Sequence, residues 1–287
     1  MRFPPRCFTA LCFLLILLCH HADTTVTAQD STLLKKRIEE LETENKALRK
    51  IISEVQKAVT LQSSDSTPNS DGLRVIVMPD DWGASGIQDM KKVADSASHP
   101  IASLLESSSF SPILIQRSTT GPITLYQRGA GNEYIVRLDT GDRAWAQMAF
   151  QFAHEFCHII CNYRDVDNPQ LWFEETICEV ASLYSLRRMS ENWKVNPPYS
   201  NWKGYSAALS DYANTRIASQ QEKKRSLAEF YRDHATALEA SGTNRELNNF
   251  IAVKLLKHFE GTPSGWQAVR YLNLGEASEN KSFKTYL

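Results

Sequence analysis

The chain has 287 residues, 42% of them hydrophobic and 23% charged, with a formal net charge of -1. That is ordinary globular composition, long enough for one sizeable core plus appendages. No basic stripe interleaved with aromatic residues occurs, which argues against a nucleic-acid partner.

Residues 1–28 read as a secretory signal. Arg2 and Arg6 give the positive start, and Phe8 to Cys19 is an apolar run too short to span a bilayer comfortably. Val26-Thr27-Ala28 offers small residues before a cut at Gln29. Leu18 is too large for the residue that precedes a lipidated cysteine at Cys19. The expectation is therefore an exported protein (secreted, extracellular or periplasmic), with anchoring by an uncleaved signal as the alternative. Cys157, Cys161 and Cys178 remain beyond this segment, an odd set that allows at most one internal disulfide. Cys161 and Cys178 are the candidate bridge. Buried thiols acting as small hydrophobes are the plainer expectation. Their spacings fit no thiolate zinc pattern.

Residues 31–59 alternate apolar spacings of four and three. Ile38, Asn45, Ile52 and Val59 take heptad position a, and Leu34, Leu41, Leu48 and Val55 take d. Branched residues at a, leucine at most d positions and one asparagine in the seam favour a parallel homodimer. The flanks agree, because Arg37 at g can meet Glu42 at e of a partner and Glu44 can meet Arg49. A lone solvated amphipathic helix is the alternative. The stem is placed at 29–60, and the Ser, Asp, Asn and Thr of 61–72 read as a flexible linker.

A domain spanning 73–287 follows. Arg74 to Met78, Ile113 to Gln116, Ile123 to Gln127 and Tyr134 to Leu138 read as strands. A helical stretch from Gly86 to Glu106, broken near Pro100, separates the first two. Tyr134 to Leu138 is the candidate edge strand for pairing with an extended peptide. Before it, Gly129-Ala130-Gly131-Asn132-Glu133 reads as a turn.

Ala144 to Cys161 reads as a helix. Trp145, Met148, Phe152, Phe156 and Ile159 form its apolar stripe, and His154 and His158 lie on the opposite side. Histidines four apart on a helix can reach one ion, and Glu155 between them could hold a metal-bound water. That is the apparatus for hydrolysis with Zn²⁺. Asn168 is a good N-cap and Pro169 suits the first helical position of a second helix running to about Arg188. Its apolar stripe is Phe173, Ile177, Val180 and Tyr184. Only a short loop joins the two helices, so they are expected to fold back as a hairpin, with His158 and Glu175 nearly level. Glu175 is then the natural third metal ligand. Glu179, one turn on, could accept the outer N–H of His154.

These residues carry a resemblance. His154-Glu155-Phe156-Cys157-His158, followed by Trp172-Phe173-Glu174-Glu175 and Glu179, is similar to the gluzincin group of zinc metallopeptidases, which includes thermolysin and the membrane-alanyl-type aminopeptidases. The match covers only about residues 143–185. It implies His154, His158 and Glu175 as ligands and Glu155 as general base and acid. The interval from His158 to Glu175 is somewhat shorter than in the best-known members, which leaves Glu174 as an alternative ligand. The metzincin pattern fails, because Cys161 and Arg164 stand where its glycine and third histidine belong. Residues 129–133 resemble the aminopeptidase G-x-M-E-N motif only in part, so Glu133 is a weak candidate for anchoring a substrate N-terminus.

The rest of the sequence reads as helical. Ser226 to Glu229 and Thr243 to Glu246 look like capping boxes, and Thr262-Pro263 opens a last helix. Tyr199, Tyr205, Tyr212 and His234 are the candidates for stabilising an oxyanion, a role that gluzincins give to a Tyr or His. Asn280-Lys281-Ser282 is a glycosylation sequon. The sequence therefore reads as an α+β, zincin-like domain: a small mixed sheet, then the active-site helix, the glutamate helix and closing helices. The expected function is an exported Zn²⁺-dependent peptidase acting on peptides or proteins. The alternative is a coiled-coil interaction protein carrying a non-catalytic zinc-binding domain.

Overall fold

The computed structural model describes residues 33–48, 50, 72–105, 110–221, 225–275 and 282–287. The expected signal at 1–28, residues 61–71 of the linker, the seam positions Ile52, Val55 and Val59, and the Asn280 sequon lie outside the described residues. What is described falls into two units, one holding helix 33–48 and the other everything from residue 72 onward.

In the first unit, residues 33–48 form a helix, α1. The seam residues Leu34, Ile38, Leu41 and Leu48 are all exposed along it. Asn45 donates from Nδ2 to the Leu41 carbonyl at 3.0 Å, and Arg37 pairs with Glu40 of its own helix at 3.0 Å.

The second unit is an α+β domain built on a four-stranded sheet: β1 (Val75–Val77), β2 (Ile113–Arg117), β3 (Ile123–Thr124) and β4 (Tyr134–Leu138). The order is β1-β2-β4-β3. The first two pairings are parallel and β3 runs antiparallel to β4, with Thr124 opposite Val136. Alternation does the packing. Val75, Val77, Ile113, Ile115, Val136 and Leu138 are all buried in one core. The parallel crossover from β1 to β2 runs through α2 (Ile87–Ala102). This helix continues past Pro100 rather than breaking there. The proline sits so near the helix end that its missing N–H removes a bond only from the last turn.

One expectation is corrected here. Tyr134 to Leu138 is not the edge strand. It lies inside the sheet, because the turn after β3 folds back and pairs the two in a hairpin, with Leu125 N donating to Ile135 O at 2.9 Å. The turn closes on itself. Glu133 accepts from Gly131 N at 2.9 Å. A Cβ on Gly129 or Gly131 would come within 2.5 or 2.4 Å of that carboxylate, so a side chain at either position would displace the Glu133 carboxylate from the turn. Glu133 is thus committed to its own turn, as the plainer reading of the sequence had it.

Two long helices follow, α3 (Trp145–Ile160) and α4 (Leu171–Trp193). The expected stripe of α3 is buried throughout. The α4 helix begins after Gln170, later than expected, and Asn168 Oδ1 accepts from Gln170 N at 3.0 Å just ahead of it. It is buried on nearly all sides rather than along one stripe, because it packs against α2, α3, α5 (Ser206–Gln221) and α7 (Arg245–Gly261). Ser226 and Glu229 form the expected capping box of α6 (Leu227–Ala240). The cap of α7 is Asn244, which accepts from Leu247 N at 3.3 Å, rather than Thr243. Short helices α8 (Trp266–Val269) and α9 (Phe283–Tyr286) complete the unit.

Candidate metal centre

The buried back of α3 turns its other face, with His154 and His158, to a cleft. Their ring centroids are 5.0 Å apart. Helix α4 lays two adjacent glutamates beside them, and these point in different directions. Glu175 faces the cleft. Its Oε2 is 3.3 Å from His154 Nε2 and its Oε1 is 3.8 Å from His158 Nε2. Glu175 thus approaches each imidazole through a different oxygen, and all three side chains keep some solvent access.

Glu174 points inward. Its Oε1 lies 2.6 Å from His158 Nδ1, and its Oε2 accepts from Asn273 Nδ2 at 2.6 Å. Asn273 also donates to Cys161 O at 3.0 Å and accepts at Oδ1 from Tyr286 OH at 2.8 Å. Asn273 has φ of 59°, in the left-handed region where asparagine is among the favoured residues. The relay Tyr286–Asn273–Glu174 fixes the His158 ring and directs its Nε2 into the cleft. Glu174, the alternative ligand of the sequence reading, thus holds the rear nitrogen of His158. Glu179 is buried near His154, but among the described residues it makes no ion pair with it. The rear hydrogen bond is made by Glu174 on the other histidine. The side chain one turn beyond Glu175 continues along the cleft instead of passing behind His154.

Glu155 is 3% exposed. Thr124 Oγ1 lies 2.9 Å from its Oε2 and 3.0 Å from its backbone oxygen, and donates to one of them at a time. The short edge strand β3 thereby pins the residue expected to act as base.

The cysteines form a second cluster. Cys157, Cys161 and Cys178 are buried, unbridged and mutually close, with the first two sulfurs 3.9 Å apart. The Cys178 thiol lies within 4.8 Å of both imidazoles, forming a group that could hold a metal. The sequence reading brings Cys161 and Cys178 together as a candidate bridge; the structure keeps both as free thiols and adds the approach of Cys178 to the imidazoles. Burial pushes the thiols of Cys161 and Cys178 up. Glu175 stays ionised: burial would raise its pKa, but the His154 hydrogen bond and the nearby charges bring it below the usual value.

The cleft has a volume of about 470 Å³ and runs from Thr124 on β3 to Tyr212, Arg216 and Arg245 on α5 and α7. Of the four oxyanion candidates, only Tyr212 lines it. Tyr205 donates its hydroxyl to Arg143 O at 3.0 Å, Tyr199 packs edge-on to Trp202, and His234 packs on Phe230 with centroids 4.4 Å apart. Those three are held by local packing elsewhere. Sequence reasoning missed Tyr126, Tyr163, Arg216 and Arg245 of the cleft wall, none of which carries a local signal. Tyr163 donates to Leu125 O at 2.6 Å, and burial pushes its hydroxyl up to about 12. A larger groove, about 710 Å³, borders His99, Tyr184 and Arg188 and gathers no comparable set of donors.

Burial alone would lower the pKa of His158. The hydrogen bond to Glu174 and the charges of Glu155, Glu174 and Glu175 outweigh it and hold the imidazole at about 10. His154 is also raised: burial would lower it, but the hydrogen bond to Glu175 together with the charges of Glu155 and Glu175 outweighs it. An ion entering this site must displace protons, so metal affinity rises with pH across the neutral range. Calorimetry at about pH 6 in two buffers of different ionisation enthalpy is expected to show proton release on metal binding. No release would contradict the charged state of the imidazoles. Asn273→Ala removes the donor behind Glu174 and is expected to weaken metal binding about 10–100-fold in a chelator competition, with Tyr286→Phe milder. Unchanged affinity in both would mean that packing alone positions Glu174.

Comparison of the sequence and fold with protein-family models, with curated proteins and with solved structures returns no match.

Proposed function

We propose that the domain is a zinc-dependent peptidase with a zincin-like arrangement of gluzincin type. One observation carries the reading: His154 Nε2, His158 Nε2 and the Glu175 carboxylate converge in an open cleft beside a pinned Glu155. Two imidazoles and a carboxylate form a nitrogen and oxygen set suited to Zn²⁺, with a position left for water. When bound, the ion supplies an acidified water and polarises a carbonyl.

The protein's own residues do the rest. When Thr124 donates to Glu155 Oε2 it leaves Oε1 to take a proton and return it to the leaving amine. Strand β3 lies at the sheet edge and lines the cleft, which suits pairing with an extended peptide backbone. Glu174 keeps the His158 ring from turning. Tyr212 is the remaining oxyanion candidate. The domain would be exported and carried on a parallel two-stranded stem. The exposed Leu34, Ile38, Leu41 and Leu48 support the stem, since one such helix buries little by itself.

Glu155→Gln keeps size while removing the proton acceptor. Zinc content by metal analysis is expected to stay near one ion per protomer, while turnover of a mixed-peptide digest falls about 10²-fold or more. Equal turnover in variant and wild type would overturn the mechanism. Zinc bound with no cleavage by either protein would favour a binding scaffold. For the stem, light scattering of the protein from residue 29 onward is expected to give a dimer, and removal of residues 29–72 a monomer that still binds zinc. A trimer would mean that Asn45 does not set the oligomer state.

A further inference from the structure

Two arginines share the cleft with the metal-binding residues, and nothing in the hydrolytic reading uses them. Resting on that reading, we infer that the cleft recognises a carboxylate of the substrate through Arg216 and Arg245. Both side chains line the same cavity as His154, Glu155, His158 and Glu175. Arg216 stands on a built platform. Its guanidinium lies 4.0 Å above the Phe150 ring and 4.9 Å from the Tyr212 ring, and Nη2 donates to Tyr212 OH at 3.0 Å. A guanidinium carries five N–H donors in a planar fork, and one phenol oxygen uses a single donor. The stacked aromatics hold that fork in place before any ligand arrives, which lowers the ordering cost of binding.

Arg245 is the first residue of α7. Its charge adds to the positive end of a long helix facing the same space. Thr243, Asn248 and Asn249 give this wall further polar groups. Among the described residues, neither arginine is in an ion pair with a carboxylate. Neighbouring acids do not fill the role. Glu174 and Glu175 are engaged with the histidines, and Glu155 with Thr124. Glu179 is buried in the same cleft, where the charges of both arginines act on it, but among the described residues it is in no ion pair with either. A divalent cation on the histidines and Glu175 would offset two of the cleft's acids and leave the two arginines facing the remaining space.

A cleft of this volume is roughly 8 Å across if equally deep in each direction, about two residues of extended peptide. The carboxylate would therefore belong to a residue one or two positions from the scissile bond. It is supplied either by the free C-terminus of a peptide or by an Asp or Glu side chain, and the charge-assisted fork is the same for both.

The test uses zinc-loaded full-length protein and four matched peptides: free acid or amidated at the C-terminus, each with Glu or Gln within two residues of the cleaved bond. Wild type is expected to show kcat/KM about 10–100-fold higher for one carboxylate-bearing member than for its neutral mate. The free-acid pair or the Glu pair then identifies the source. In Arg216→Gln with Arg245→Gln this ratio is expected to fall towards one, mainly through KM. No preference in wild type would overturn the inference, as would a preference that survives the double change. Equilibrium binding of the same peptides to zinc-loaded Glu155→Gln reads the preference without turnover. If the wild type cleaves nothing, the peptidase reading fails, and the binding preference still decides for or against the carboxylate site.

Discussion

Every distance in the cleft depends on how closely α4 lies against α3. Small side chains permit the approach. Cys178, Ala181, Ser182 and Ser185 of α4 are all buried, and Ser182 donates to the Phe150 carbonyl of α3 at 2.9 Å. A larger residue at Cys178 or Ser182 would spread the helices and withdraw Glu174 and Glu175 together from the histidines. Interiors packed at crystal density do not absorb such changes locally. The rear bond at 2.6 Å and the front approaches at 3.3 and 3.8 Å are therefore consequences of one packing decision, taken behind the site.

Electrostatics supply the other half. Glu155, Glu174 and Glu179 are all buried around two imidazoles. Taking charges out of water is costly unless each finds a partner. Without a cation the balance is met by protons on the histidines, which is why His158 is held up at about 10 despite its burial. A divalent ion replaces those protons and satisfies the same acids with a more concentrated charge. The arrangement could thus hold a cation in place of those protons. Protonated His158 donates at Nδ1 to Glu174, and it can go on doing so when Nε2 is given to a metal.

Much of this was legible in the sequence because it is local. The spacing of His154 and His158 and the apolar stripe of α3 are set by helical period. Strand β4 was placed at its observed bounds by alternation alone. Glu175 followed from the loop length between two helices. What escaped was decided by tertiary pairing. No pattern in Ile123–Thr124 says that this pair takes the sheet edge, since that depends on the return of the backbone through the turn at Gly129 and Gly131. The choice between Glu174 and Glu175 turns on a side-chain partner 99 positions away. Arg216 and Arg245 look like ordinary surface cations until α5 and α7 are folded over the cleft. The sequence places Cys161 and Cys178 near each other as a candidate bridge, but neither their unbridged state nor the approach of Cys178 to both imidazoles has a signal in cysteine spacing.

The motif and the folded cluster around it are thus different things. The motif is contained between His154 and Glu175, and a hairpin of α3 and α4 could in principle present it. The site also needs Thr124 from the sheet edge, Asn273 beyond α8 and Tyr286 on α9. Each acts on a different atom. Thr124 selects which oxygen of Glu155 stays available, and Asn273 with Tyr286 keeps Glu174 from swinging forward to compete with Glu175. A helical hairpin alone would leave both adjacent glutamates able to reach the histidines. It would then sample several poor geometries where the folded domain holds one. The segments farthest from the motif in sequence are the ones that make the different placements of Glu174 and Glu175 definite.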